Sequence, residues 1–209
     1  PVLTDEEFYK LVHVNHPWFR SRVFPIVYPV GQGGKGMEKA LETLFTGVDE
    51  AIQEGINIII LSDRMIDRDN APIPALLAVA GLHHHLIRRG TRTKVGLVLE
   101  SGEPRETHHF ALLIGYGVGA INPYLALPTV RQLVEREPSQ GLSPEKAVAN
   151  YRKVIDKQIL KIMSKMGIST VGSYRGAQIF EALGLSDELT QDCFPGTPSR
   201  IGGLAFEHL

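Results

Sequence analysis

The sequence predicts an α/β fold with mostly parallel strands, an open or partial (β/α) barrel that is a rudimentary relative of the TIM barrel. Three observations predict it. Ile56–Leu61 and Val95–Leu99 are short, almost wholly apolar runs, the pattern of strands covered on both faces. Each ends in charged residues and is followed by an apolar helical segment, the order expected of successive strand–helix units. About five such units can be counted from the periodicity, whereas a closed barrel needs eight and about 250 residues. A chain of 209 residues therefore falls short of closure.

The elements follow in order. Arg22–Val30 reads as a strand, with Pro25 and Pro29 pushing it toward an edge or an irregular start. Gly31–Gly36 is a glycine-rich turn. Met37–Gln53 is a helix whose Leu41, Leu44, Phe45, Val48 and Ile52 share one stripe, and Gly55 stops it. Ile56–Leu61 is the next strand. Ile73–Arg89 is helical, with Pro74 tolerated in its first turn and Gly90 after its last. Lys94–Leu99 is a strand, Thr107–Tyr116 a helix, Gly119–Ile121 a short strand and Leu125–Arg136 a helix. Ser143–Met166 is a long helix with a good N-cap in Ser143. Ile168–Val171 is predicted as a short strand and Gly176–Leu183 as a helix. No linker, repeat or low-complexity stretch divides the chain, so residues 1–209 read as one domain.

Composition excludes more than it identifies. Apolar residues make up 43% and charged residues 22%, with a net charge of −1 and a pI of about 6.8. Nothing global favours nucleic acid or an anionic membrane as partner. The one cysteine, Cys193, forms no internal disulfide and fits a reducing compartment, the cytoplasm. No apolar run has membrane-spanning length and no signal peptide is visible. The chain opens on Pro1 and is expected to be a fragment of a longer polypeptide.

Four constellations could carry chemistry. The loop after the second strand holds Asp63, Arg64, Asp67, Arg68, Asp69 and Asn70. Carboxylates at a strand's carboxyl end suit a metal or a base. Acids alternating with arginines also satisfy one another, and that structural reading is favoured. The second group is Glu100, Ser101, Glu103, Arg105, Glu106, His108 and His109. The two histidines point about 100° apart on a helix, so a structural role is again favoured. The third is His83-His84-His85, which fans over about 200° and cannot supply three ligands to one ion. The fourth is the glycine loop Gly31–Gly36, which lacks the Ser or Thr that a nucleotide loop places after Lys35. Gly115, Gly117 and Gly119 follow a helix and precede a strand, the reverse of a dinucleotide fingerprint.

The stretch ILSDR…DRDNAPIPALLAVAGLHHHLIRRGTRTKVGLVLESGEPRETHHFALLIGYGVGAINPY resembles the central domain of glutamate synthase. So do LKIMSKMGISTVGSYRGAQIFEALGL (160–185), GTPSRIGG (196–203) and the opening PVLTDEEF. The resemblance covers nearly the whole chain. It implies a place between an amidotransferase domain, which releases ammonia from glutamine, and an FMN-binding barrel. There 2-oxoglutarate and ammonia become glutamate with electrons from an iron–sulfur cluster. It implies a cytoplasmic enzyme, or a plastid one for a plant-type ferredoxin-dependent parent. It assigns no catalytic, cofactor-binding or metal-binding residue to this chain. There is no N-terminal cysteine, and Cys193 alone cannot hold a cluster. Two other readings stand beside it. One is an autonomous enzyme binding flavin or phosphate through Gly33, Gly34 and Gly119. The other is a metal-dependent hydrolase using Asp63, Glu100 and a histidine.

Two structural expectations follow. Asp63 and Glu100 should be neighbours at the carboxyl edge of adjacent strands, with Arg64, Arg68 or Arg105 bridging to carboxylates. Weak self-association is expected, or an exposed apolar patch bordering residues 193–209 or the strand loops.

Overall fold

The computed structural model describes residues 1–137 and 141–209. In chain order its elements are Asp5–Val12 (α1), Ser21–Pro25 (β1), Val27–Pro29 (β2), Gly33–Gln53 (α2), Ile58–Ser62 (β3), Asn70–Pro72 (β4), Ala75–Arg88 (α3) and Gly96–Glu100 (β5). Then come Thr107–Gly115 (α4), Ala120–Asn122 (β6), Ala126–Arg136 (α5), Pro144–Lys165 (α6), Val171–Tyr174 (α7), Ala182–Leu185 (β7), Asp187–Cys193 (α8) and Ser199–Leu204 (β8).

Strands β1, β3, β5 and β6 form one parallel sheet in that spatial order. Because the order follows the chain without reversal, right-handed crossovers stack α2, α3 and α4 on one face. Side chains alternate across the sheet accordingly. Ile59, Leu61, Leu97, Leu99 and Ile121 pack with Leu41, Leu44, Leu82, Phe110 and Ile114 of the helical layer. Ile60 and Val98 point the other way, onto Phe8 of α1, with Leu3, Leu11 and Val12 around them. In a closed barrel that second face would line the interior. Here α1 plugs it, so the sheet is open yet covered on both sides.

Local chemistry fixes α1. Glu7 N–H donates to Thr4 Oγ1 at 3.1 Å, and Thr4 N–H donates to Glu7 Oε2 at 2.8 Å, a reciprocal capping box. The residues before it extend the sheet, since Val2 bridges Ile121 in parallel and Leu3 N–H donates to the Ile121 carbonyl at 2.8 Å. Arg152 of α6 clamps this segment through the Val2 carbonyl and Glu7.

The open, mostly parallel α/β class read from the sequence is the observed one. Several elements differ. The predicted strand Arg22–Val30 breaks at the fully buried Ile26. Its first half joins the main sheet, and its second half pairs antiparallel with β4. Prolines 25 and 29 cannot donate to a ladder, so one continuous strand is disfavoured. Helix α2 begins inside the glycine loop, at Gly33 rather than Met37. The strand predicted at Ile168–Val171 is absent. Thr170 Oγ1 accepts the Ser173 N–H and starts α7 instead. The helix predicted at Gly176–Leu183 is also absent. Gln178 has a φ of +52°, which interrupts a right-handed helix, and Ala182–Leu185 pairs with β8.

Candidate functional site

The polar residues of the sheet gather at its carboxyl edge. Ser62, Asp63, Glu100, Ser101 and Asn122 end three neighbouring strands, and all are buried. Asp63 N–H donates to the Glu100 carbonyl at 3.2 Å. The Asp63 carboxylate accepts the Ser101 hydroxyl at 2.6 Å and the Gly102 N–H at 3.2 Å. Glu100 accepts the Ser62 hydroxyl at 2.5 Å through Oε2 and the Arg64 Nε–H through Oε1. Arg64 then lies 4.2 Å above the Tyr124 ring, a cation–π contact. Burial, and then the adjacent Asp63 carboxylate, push the Tyr124 phenol up to about 12.

Around this edge the loop acids are also engaged. The Glu103 carboxylate accepts the Ala75 N–H at 3.0 Å, capping α3, which has no side-chain cap of its own. Burial raises the Glu103 carboxyl above its ordinary range. Asp67 accepts the N–H groups of Asp69 and Asn70, each at 2.8 Å. The Asp69 amide first, and then the Asn70 side chain, hold its carboxyl below the usual value. Asn122 Nδ2 donates to Asp5 at 2.9 Å, while its Oδ1 has no partner among the described residues. Asp63 and Glu100 are thus neighbours, and Arg64 is the arginine that pairs with a carboxylate here, that of Glu100 alone. Arg105 instead turns to the Glu103 carbonyl at 3.4 Å.

The histidines disperse, as their helical spacing requires. His83 Nδ1 accepts Arg92 Nε–H at 2.8 Å. Burial first, and Arg92 second, lower its pKa to about 4, so it stays neutral. His84 Nδ1 meets the Ala80 carbonyl at 2.9 Å. His85 stacks on Phe45 and reaches Asp49 at 2.9 Å. His109 Nδ1 accepts the Arg105 N–H at 3.1 Å, while His108 faces a groove between α4 and α6. Among the described residues no three His, Cys, Asp or Glu side chains converge as metal ligands, and no histidine joins Asp63 and Glu100.

The glycine loop is shaped by the chain itself. A Cβ on Gly34 would fall 2.3 Å from the Phe206 carbonyl oxygen. The C-terminal turn Phe206–His208 therefore occupies the space beside it, where the phosphate reading would seat its ligand. Gly117, with φ +115°, turns the chain beneath the His83 ring. Gly119 simply packs on the Leu97 carbonyl oxygen.

Residues 1–186 match the family model described as glutamate synthase central domain. The chain belongs to the glutamate synthase central-domain family. It is 48% identical over 204 residues to the glutamate synthase [NADPH] large chain of Bacillus subtilis, covering 98% of this chain and 13% of that protein. It is 42% identical over 212 residues to glutamate synthase [NADH] of Schizosaccharomyces pombe, covering 100% of this chain and 10% of that protein. To ferredoxin-dependent glutamate synthase 2 of Arabidopsis thaliana it is 38% identical over 221 residues, covering 100% and 13%. The chain thus spans only a small part of these curated relatives' length.

Within this central domain, the residues do not fit an iron–sulfur cluster. Cys193 is buried, and that burial pushes its thiol up to about 12, against the thiolates a cluster needs. Among the described residues no helix is long and apolar enough to cross a membrane. Exposed apolar residues occur in the expected regions and outside them, Trp18, Leu133 and Leu160 among the latter. Leu183, Ile201 and Leu204 project from the β7–β8 ribbon, and Met65, Ile66 and Leu125 flank the strand loops. Sequence reasoning missed Asn122, Tyr124 and Arg92. Tyr124 lies two residues beyond the short strand ending at Asn122, and that strand-end position is the signal that could have found it.

Proposed function

We propose that this central domain connects and positions the amidotransferase and FMN-binding domains of its parent polypeptide and performs no bond-breaking of its own. The observation that carries the reading is the β7–β8 ribbon. The family match ends at residue 186, within a unit whose second strand is Ser199–Leu204. Two parallel strands with Leu183, Ile201 and Leu204 exposed are not a self-sufficient sheet, because parallel sheets are buried on both faces. Such a ribbon calls for cover from neighbouring parts of the polypeptide. The carboxyl edge supports the same role, since Asp63, Glu100, Glu103 and Asp67 are all engaged by donors of the chain itself. A carboxylate so held is a poor general base and a good rigid strut.

The parent reaction on this reading converts glutamine, 2-oxoglutarate and reductant to two glutamates, with FMN and an iron–sulfur cluster housed in other domains. The chain alone, given ammonia, 2-oxoglutarate, FMN and reductant, should form no glutamate, and given glutamine it should release no ammonia. Glutamate formation would refute the proposal. In the full-length enzyme, Arg64→Ala should change the ratio of glutamine hydrolysed to 2-oxoglutarate converted more than either rate. An unchanged ratio with abolished synthase chemistry would make the loop catalytic.

A further inference from the structure

A cleft of about 480 Å³ opens between the last turns of α3 and α4 and the segments that follow α7 and α8. Because α3 and α4 run antiparallel to the strands, it lies at the amino-terminal end of the sheet, opposite the Asp63–Glu100 edge. Its volume suits a small molecule. One wall is apolar, made by Ile87, Tyr116 and Phe180, with the last two rings stacked at 5.9 Å. Its polar side chains are Arg88, Gln178, the imidazoles of His83 and His84, and the Thr197 hydroxyl, which is 2.6 Å from Tyr116 Oη. No carboxylate lines it among the described residues.

Arg88 is the one lining residue of fixed charge among the described residues. Arg175 precedes the lining Gly176, and its charge adds to burial in lowering the pKa of Arg92 behind the cleft. On its far side Arg88 also borders Glu188 and Asp192, with no ion pair formed among the described residues. The backbone is strained at this same place. Gln178 is the one non-glycine with positive φ, +52°, among the described residues. Its amide nitrogen lies 2.1 Å from where a Cβ on Gly196 would stand, so a side chain at 196 would displace it. Strain of this kind persists where the surrounding structure fixes it, and it clusters at ligand sites.

We infer that this cleft binds a small organic oxyanion, with a carboxylate or phosphate group held by Arg88 and the Gln178 amide and an apolar body against Ile87, Tyr116 and Phe180. The guanidinium suits either group. The inference is independent of the connecting role proposed above.

The test is isothermal titration of the full-length polypeptide with benzoate, phenyl phosphate and neutral benzamide. At least one anion should bind, benzamide should not, and the better anion identifies the ligand's charged group. Arg88→Ala should weaken binding by about tenfold or more, the size of a lost charged hydrogen bond. Gln178→Gly should also weaken it while leaving the melting temperature unchanged or higher, because glycine adopts positive φ freely. Absence of binding by both anions, equal binding of benzamide, or binding that survives both substitutions would overturn the inference.

Discussion

Ser62 and Glu100 are partner positions on neighbouring parallel strands, and the Ser62 hydroxyl donates to Glu100 Oε2 at 2.5 Å. Register alone brings them together, because β3 and β5 pair residue for residue from Ile58↔Gly96 to Ser62↔Glu100. The Glu100 side chain is 8% exposed and its Arg64 partner 50%. The buried carboxylate therefore depends on donors that the chain carries to it.

Arg64→Ala removes one of those donors and leaves Glu100 with the Ser62 hydroxyl alone among its side-chain donors. The expected cost is about 1–3 kcal/mol, that of a buried charge short of a hydrogen bond. Arg64→Lys should recover only part, because a single ammonium does not reproduce the Nε contact and the stacking on Tyr124. Urea denaturation midpoints check both, and an Arg64→Ala midpoint equal to wild type would show the pair to be idle.

Phe8→Ala should destabilise by about 3–5 kcal/mol. Phe8 is the buried residue of α1 and packs on Ile60 and Val98. Without it the face that a barrel would enclose loses its cover. Hydrogen exchange should then rise across β3 and β5 as well as in α1. Exchange confined to α1 would mean that the sheet stands without its plug.

Gly34→Ala should loosen the C-terminal turn. The added methyl would meet the Phe206 carbonyl at 2.3 Å, backbone that cannot rotate aside. Overpacking of this kind costs about 1–3 kcal/mol. Limited proteolysis should cut residues 205–209 faster in the variant. Equal rates would show that the turn and the loop do not depend on each other.

His83 should make stability depend on pH. Its pKa is lowered from 6.5 to about 4, by burial first and Arg92 next. Between those values the unfolded chain takes up a proton that the folded chain refuses, so stability rises with pH across the interval. The contribution is complete above 6.5 and is lost as the pH falls toward 4. His83→Gln should flatten this part of the profile, read as urea midpoints at about pH 7.5 and about pH 5. A profile unchanged by the substitution would assign the slope to other groups.

Much of the fold was legible in the chain. The isoleucine run at 58–60 has one stable use, a strand with apolar layers on both sides, and the stripe Leu41–Ile52 has one face to bury. The grouping of Asp63 with Glu100 followed from adjacent strand ends, and the dispersal of His83, His84 and His85 from 100° per residue. Long-range partnerships decided the rest. Ile26 breaks a strand because its two halves find different partners, and Ala182–Leu185 is a strand because Ser199–Leu204 lies beside it. Helix α1 is a plug because Ile60 and Val98 offer it a face, and Gly34 is fixed by a carbonyl from the far end of the chain. Periodicity records which face of a segment is apolar, and caps record where it starts. Neither records what will cover that face, since that is set by residues distant in sequence whose burial is shared only once the chain has closed on itself.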